Sequence, residues 1–196
     1  MARVIVYYVH PGHRFSRANA AMWARAGQVS GITRVDLYAE YPRFDINIDR
    51  EQQRLLDHDA IVLQFPMFWY STPSLLKEWQ DLVLEYGFAY GEGGTALNGK
   101  ALQLAVTAAG PRSAYDAPGY QRYRMREFLR PLEQTANLCH MTFPAPYVLF
   151  AALSGADPSR TDRNAEGYAR LLEGLRDAPE VPRTAAPDAV TGAAEG

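Results

Sequence analysis

Residues 60–83 read A-I-V-L-Q-F-P-M-F-W-Y-S-T-P-S-L-L-K-E-W-Q-D-L-V. Ala60 to Phe65 is a short apolar run with β-branched members, the pattern of a buried strand. Pro66 ends it, because proline cannot donate to a ladder. Pro73 then stands where a helix can begin, and Leu75, Leu76, Trp79, Leu82 and Val83 recur at helical spacing, so one face of that helix is buried. The same alternation extends outward in both directions. Upstream, Val4 to Tyr8 reads as a strand buried on both faces. Ser16 to Gln28 is an alanine-rich helix carrying Met22 and Trp23, Ile32 to Leu37 a second strand, Tyr41 to Ile48 an irregular stretch, and Asp49 to Asp57 a polar helix. Downstream, a Gly- and Tyr-rich loop (Tyr86 to Gly99) leads to a fourth strand, Ala101 to Thr107. A long loop to Tyr120, helical character from Arg122 to Leu138, a fifth strand within Pro144 to Ala151 and a closing helix from Thr161 to Arg176 complete the pattern. Five strands with interposed helices and no internal repeat predict an α/β fold: a doubly wound, mostly parallel sheet covered on both faces.

The chain has 196 residues and a formal net charge of −2. One domain is expected, spanning 1–177, with 178–196 an Ala/Pro-rich flexible tail. The single cysteine, Cys139, cannot form an internal disulfide, which fits a reducing compartment and a cytoplasmic location. No Lys/Arg run suggests neutralisation of a phosphate backbone, so nucleic acid is not an expected partner. No segment approaches the roughly 20 apolar residues needed to span a bilayer. No cluster of metal ligands stands out, so a metal is not expected either.

In open parallel sheets a ligand sits beyond the carboxyl ends of the strands, where the strand order reverses. Three loops would gather there, and they are the chemically richest in the chain. The first, H-P-G-H-R-F-S-R-A-N, ends at a helix N-terminus, where unpaired N–H groups and the helix dipole favour an anion. Ser16 and Asn19 can add donors and His10 can reach a phosphate; alternatively Ser16 only caps and His10 only ends the strand. No G-x-G-x-x-G or Walker pattern follows the first strand. The second loop, F-P-M-F-W-Y-S-T-P, groups Phe68, Trp69 and Tyr70. These rings either hold a planar aromatic ligand or, in the case of Trp69, plug the top of the core. The third loop, T-A-A-G-P-R-S-A-Y, begins with small residues that let main chain approach a flat ring, and Tyr115 can donate to a ring that becomes anionic.

Three blocks together carry a resemblance: H-P…S-R-A-N, then F-P-M-F-W-Y-S-T-P-S-L-L-K-E-W, then Y-G-x-A-Y-G-x-G-G-T-A-L-x-G-K. They resemble the NAD(P)H:quinone reductase family, and within it the small members that act as ancillary subunits of glutathione-gated potassium efflux systems. The resemblance runs from about Val4 to the last helix. It implies a flavodoxin-like three-layer fold with strand order 2-1-3-4-5, and a homodimer with flavin at the subunit interface. Carried over by position, the cofactor-binding residues fall on His10, on Ser16, Arg17, Ala18 and Asn19, on Met67, Phe68, Trp69 and Tyr70, and on Thr107, Ala108, Ala109 and Gly110. The last block usually reads Thr-Thr-Gly-Gly or similar in the family, so Ala108 and Ala109 depart from it. Tyr115 matches a tyrosine that stabilises reduced flavin in larger members, whereas Tyr120 and Gln121 stand near where those members place a histidine.

The implied reaction is ping-pong hydride transfer from NADH or NADPH through the flavin to a quinone. The short chain favours FMN over FAD. Tyr86, Phe88 and Tyr90 would wall the substrate pocket or face the second subunit. The resemblance also implies a rival role, docking on a potassium efflux antiporter. That would place the chain at the inner membrane through its partner, with redox activity secondary. A one-electron carrier would present a more acidic surface than a net charge of −2 provides.

Overall fold

A computed structural model of the chain describes residues 1–12, 16–116, 119–153 and 158–178. The expected tail therefore lies almost wholly outside the described residues. The elements run β1 (Val4–Tyr8), α1 (Ala18–Ala26), β2 (Ile32–Asp36), α2 (Leu37–Glu40), α3 (Ile48–Asp57), β3 (Ala60–Pro66), α4 (Ser74–Val83), β4 (Ala101–Thr107), α5 (Met125–Phe128), α6 (Arg130–Leu138), β5 (Tyr147–Leu149) and α7 (Pro158–Asp177), with a 3-10 turn at Arg112–Tyr115. All strand pairs are parallel and the sheet order is β2-β1-β3-β4-β5. This is the doubly wound order that the resemblance implies.

Burial on both faces follows from the composition of the strands. Every residue of β1 and β3 is buried. Along β3, Ile61, Leu63 and Phe65 enter one core, which α2 to α6 cover. Ala60 and Val62 enter the other, beneath α1 and α7. Such period-two partition needs apolar residues at successive positions, and the continuous run supplies them.

Several boundaries differ from the sequence expectations: β3 takes in Pro66 as its last residue, α1 is shorter at both ends and α7 begins at Pro158. Three further differences have a local reason. The helical stretch expected over Arg122 to Leu138 is two helices meeting at Leu129, because Pro131 has no N–H to continue the ladder of α5. β5 keeps three residues of Pro144 to Ala151, since Pro144 and Pro146 cannot donate to a neighbour; the Gln103 side chain donates instead to the Ala145 carbonyl at 3.1 Å. The second strand stops at Asp36, whose side chain accepts from the Ala39 N–H at 3.2 Å and starts α2.

Candidate functional site

From β1 the chain connects to β2 on one side, and β3 lies on the other, so the crevice between the ends of β1 and β3 is the switch point of the sheet. Above it opens a cleft of about 950 Å³, near the upper end of the roughly 300–1,000 Å³ typical of small-molecule and cofactor sites. His10, Ser16, Arg17, Ala18, Asn19, Met67, Phe68, Trp69, Thr107 and Ala109 line it. Ten of the fourteen residues expected from sequence thus converge on one space.

The phosphate-side wall is the start of α1. The helix cap sits at Arg17, one residue later than expected, yet Ser16 still accepts from the Asn19 N–H through Oγ at 3.2 Å. Asn19 is buried, and its Nδ2 donates to Thr107 Oγ1 at 2.6 Å, joining α1 to the end of β4. The Gly12 N–H donates to His10 Nδ1 at 3.1 Å, so the neutral imidazole carries its proton on Nε2. The His10 ring lies between Tyr8, stacked at 6.2 Å, and Phe68, edge-on at 5.9 Å. This packing fixes the plane of the imidazole.

The loop after β3 is a two-residue hairpin. Phe68 and Ser71 exchange main-chain bonds of 3.1 and 3.0 Å, and both central residues lie at positive φ, Trp69 at 47° and Tyr70 at 65°. Type I′ turns require that conformation and normally fill it with Asn or Gly; a bulky residue there costs about 1–2 kcal/mol. Two aromatics in such a turn are strained, and both rings are exposed. Trp69 is 92% exposed, so it does not plug the core; Trp79, 2% exposed, occupies the core instead. Among the described residues the Trp69 and Tyr70 amides make no main-chain hydrogen bond; Trp69 lines the cleft and Tyr70 adjoins it.

The remaining expected residues stand beside the cleft. Ala108 is buried, with its N–H given to Leu149 O at 2.9 Å and its carbonyl accepting from Ala152 N at 2.9 Å. Those contacts hold the β4 loop against the segment after β5. Gly110 packs under Tyr115 and Tyr120, where a Cβ would come within 2.9 Å of the Tyr120 hydroxyl. Tyr70 stacks on Phe128 at 5.1 Å. Tyr115 is buried between Phe128 (6.1 Å) and Phe150 (5.5 Å); burial first, then the nearby Tyr120 and Tyr70, push its phenol above the usual tyrosine range. Of the Tyr86 to Gly99 loop, none of the three aromatics lines the cleft, and Phe88 and Tyr90 pack against the core.

Two groups of lining residues escaped the sequence reading. Leu149 ends β5, Ala151, Ala152 and Leu153 follow it, and Arg160, Thr161, Asp162 and Asn164 open α7. Arg160 ties the two together by donating to the Phe150 and Ala151 carbonyls. Their sequence is unremarkable, and only the parallel placement of β5 beside β4 brings them over the sheet. The donor set suits a flavin: helix N–H groups and Arg17 for a phosphate, small and apolar floor residues for a ring, and the two hairpin amides that no main-chain acceptor takes for the ring's polar edge.

A parallel sheet of this order with a ring-sized cleft at its switch point defines a flavodoxin-like α/β protein. The model of the flavodoxin-like fold family matches residues 2–172, and the chain belongs to that family. It is 43% identical over 171 residues to the glutathione-regulated potassium-efflux system ancillary protein KefG of Yersinia enterocolitica, covering 87% of this chain and 92% of that one. Among solved structures, general stress protein 14 of Treponema denticola in complex with FMN superposes with a TM-score of 0.84 at 34% identity, covering 88% of this chain and 99% of that one. An NADPH-quinone reductase of P. pentosaceus superposes with a TM-score of 0.78 at 30% identity, covering 87% and 97%.

Proposed function

We propose that this chain is an FMN-dependent NAD(P)H:quinone oxidoreductase that works in two half-reactions. The observation that carries the reading is the convergence of the first turn of α1 with the ends of β3 and β4 around a single cleft. The FMN bound by the Treponema relative and the activity of the P. pentosaceus one support it. When bound, the flavin would supply the hydride-transfer chemistry that links NAD(P)H to a quinone. Ser16, Arg17 and the opening turn of α1 hold its phosphate. Thr107 and Ala109 form the floor, with Met67 and Phe68 at the side. The Trp69 and Tyr70 amides fix its polar edge, and the Tyr115 hydroxyl opposes negative charge that grows on reduction. Trp69, Tyr70, Tyr120 and Tyr123 all lie exposed, and a second copy of the chain would cover them, giving a homodimer with the site at its interface.

Purification and release of the chromophore for comparison with FMN and FAD standards tests the reading. We expect FMN, and NADH- or NADPH-driven quinone turnover by the purified protein. A colourless protein that also fails to take up added flavin overturns the proposal. The KefG relative supports a second role, as a cytoplasmic ancillary subunit held at the inner membrane by a potassium efflux antiporter. Co-purification with such a transporter, and loss of its gating when the chain is deleted, test that role.

A further inference from the structure

On β3 the positions facing α1 and α7 are Ala60, Val62 and Gln64. The first two belong to the apolar core of that layer, and a leucine at 64 would extend it. Instead an amide lies there with 0% exposure, and among the described residues its Oε1 has no hydrogen-bond partner. A buried, unpaired acceptor costs about 1–3 kcal/mol, so packing does not account for this residue. Its bonds do. Gln64 Nε2 donates to the main-chain oxygen of Asn19 at 2.9 Å and lies 3.5 Å from Asn19 Oδ1. The Gln64 main-chain carbonyl accepts from the Val9 N–H at 2.8 Å, where the chain leaves β1. Asn19 Nδ2 is given to Thr107 Oγ1. A run of three side chains, Gln64–Asn19–Thr107, therefore crosses from β3 through the first turn of α1 to the end of β4, and its last two members line the cleft.

We propose that Gln64 is a positioning residue that acts through Asn19. It fixes which way the Asn19 amide faces and how high the opening turn of α1 stands over the strand ends, and so sets the phosphate side of the cleft. The inference rests on the FMN reading above. Phosphate grip and ring grip separate when the apoprotein is titrated with FMN and with riboflavin, which lacks the phosphate. Gln64→Leu lowers FMN affinity about tenfold, corresponding to about 1.4 kcal/mol, and leaves riboflavin affinity unchanged. Because Gln64 acts through Asn19, adding it to Asn19→Ala costs less than about a further twofold. Gln64→Met gives the same split and stands in if the leucine variant folds poorly. Unchanged FMN affinity in both variants overturns the inference, as does equal loss of both flavins or full additivity with Asn19→Ala. Wild-type protein that binds neither flavin removes the underlying reading and this inference with it; wild-type protein that binds FMN while the variants match it removes the inference alone.

Discussion

Trp69 lines the cleft and Tyr115 is buried beside it, 92% against 6% exposed, and their substitutions should separate accordingly. Trp69→Ala removes almost no packing, so thermal melts should change by no more than about 0.5 kcal/mol, while FMN retention through gel filtration falls. Trp69→Gly should be the more stable of the two by about 1 kcal/mol, because glycine tolerates the 47° φ that alanine does not. Tyr115→Phe should keep the flavin and slow its reduction by NAD(P)H on the order of 10–100-fold in stopped flow. Burial holds the Tyr115 phenol protonated beyond its ordinary range. Its contribution should therefore be flat from about pH 6 to 9, and a step in the wild-type rate that disappears in the phenylalanine variant would refute this. The sequence reveals Trp69 and Asn19 because each belongs to the connection that leaves a strand, Trp69 in a hairpin and Asn19 in the opening turn of α1. Gln64 is equally visible as the one polar residue in Ala60 to Phe65, but the eye takes the run as uniformly apolar. Its meaning appears only when Asn19 lies opposite.

Between elements, the most telling contact is hidden on the face away from the cleft. Glu51 of α3 is fully buried and accepts from Tyr41 Oη at 2.6 Å, from Arg54 Nη1 at 2.6 Å and from Trp79 Nε1 of α4 at 3.1 Å. One carboxylate thereby joins the segment after α2 to α3 and α4. Glu51→Ala would leave three donors unmet and should cost about 3 kcal/mol in urea unfolding. Glu51→Gln keeps one acceptor and should cost less, and equal losses would show that charge and not hydrogen bonding holds the joint. Sequence periodicity places α3 and α4 but cannot reveal this link, since Glu51 looks like a solvated first-turn acid. Element existence is legible wherever apolar runs are long, as in β1, β3 and β4. It fails where proline sets the limit, as at Pro131 and Pro146, because the effect of a missing N–H depends on which neighbour would have accepted it.

Across the whole molecule, burial raises the phenols of Tyr7, Tyr8, Tyr115, Tyr147 and Tyr168, and that of Tyr41 up to about 12. A raised folded-state pKa gives stability that is complete below the unfolded value, about 10, and is lost as pH climbs through the folded values. Alkaline unfolding should therefore begin above about pH 10, with tyrosinate absorbance and loss of near-UV ellipticity moving together; tyrosinate forming ahead of unfolding would contradict the buried placement. The acid side is milder. Arg3 hydrogen-bonds Asp59 and lowers its carboxyl, so that contribution is present at neutral pH and fades as pH falls. With Arg3 half exposed, Asp59→Asn should cost no more than about 1 kcal/mol.

The closed hairpin at residues 68–71 also limits how this molecule can diversify. Two residues bracketed by a reciprocal pair of main-chain bonds leave no slack, so an inserted residue would open the bracket and displace both amides. New acceptor preferences should then arise by exchanging the rings at 69 and 70 while the loop keeps its length, which makes those two positions the natural place to randomise when a different oxidant is wanted.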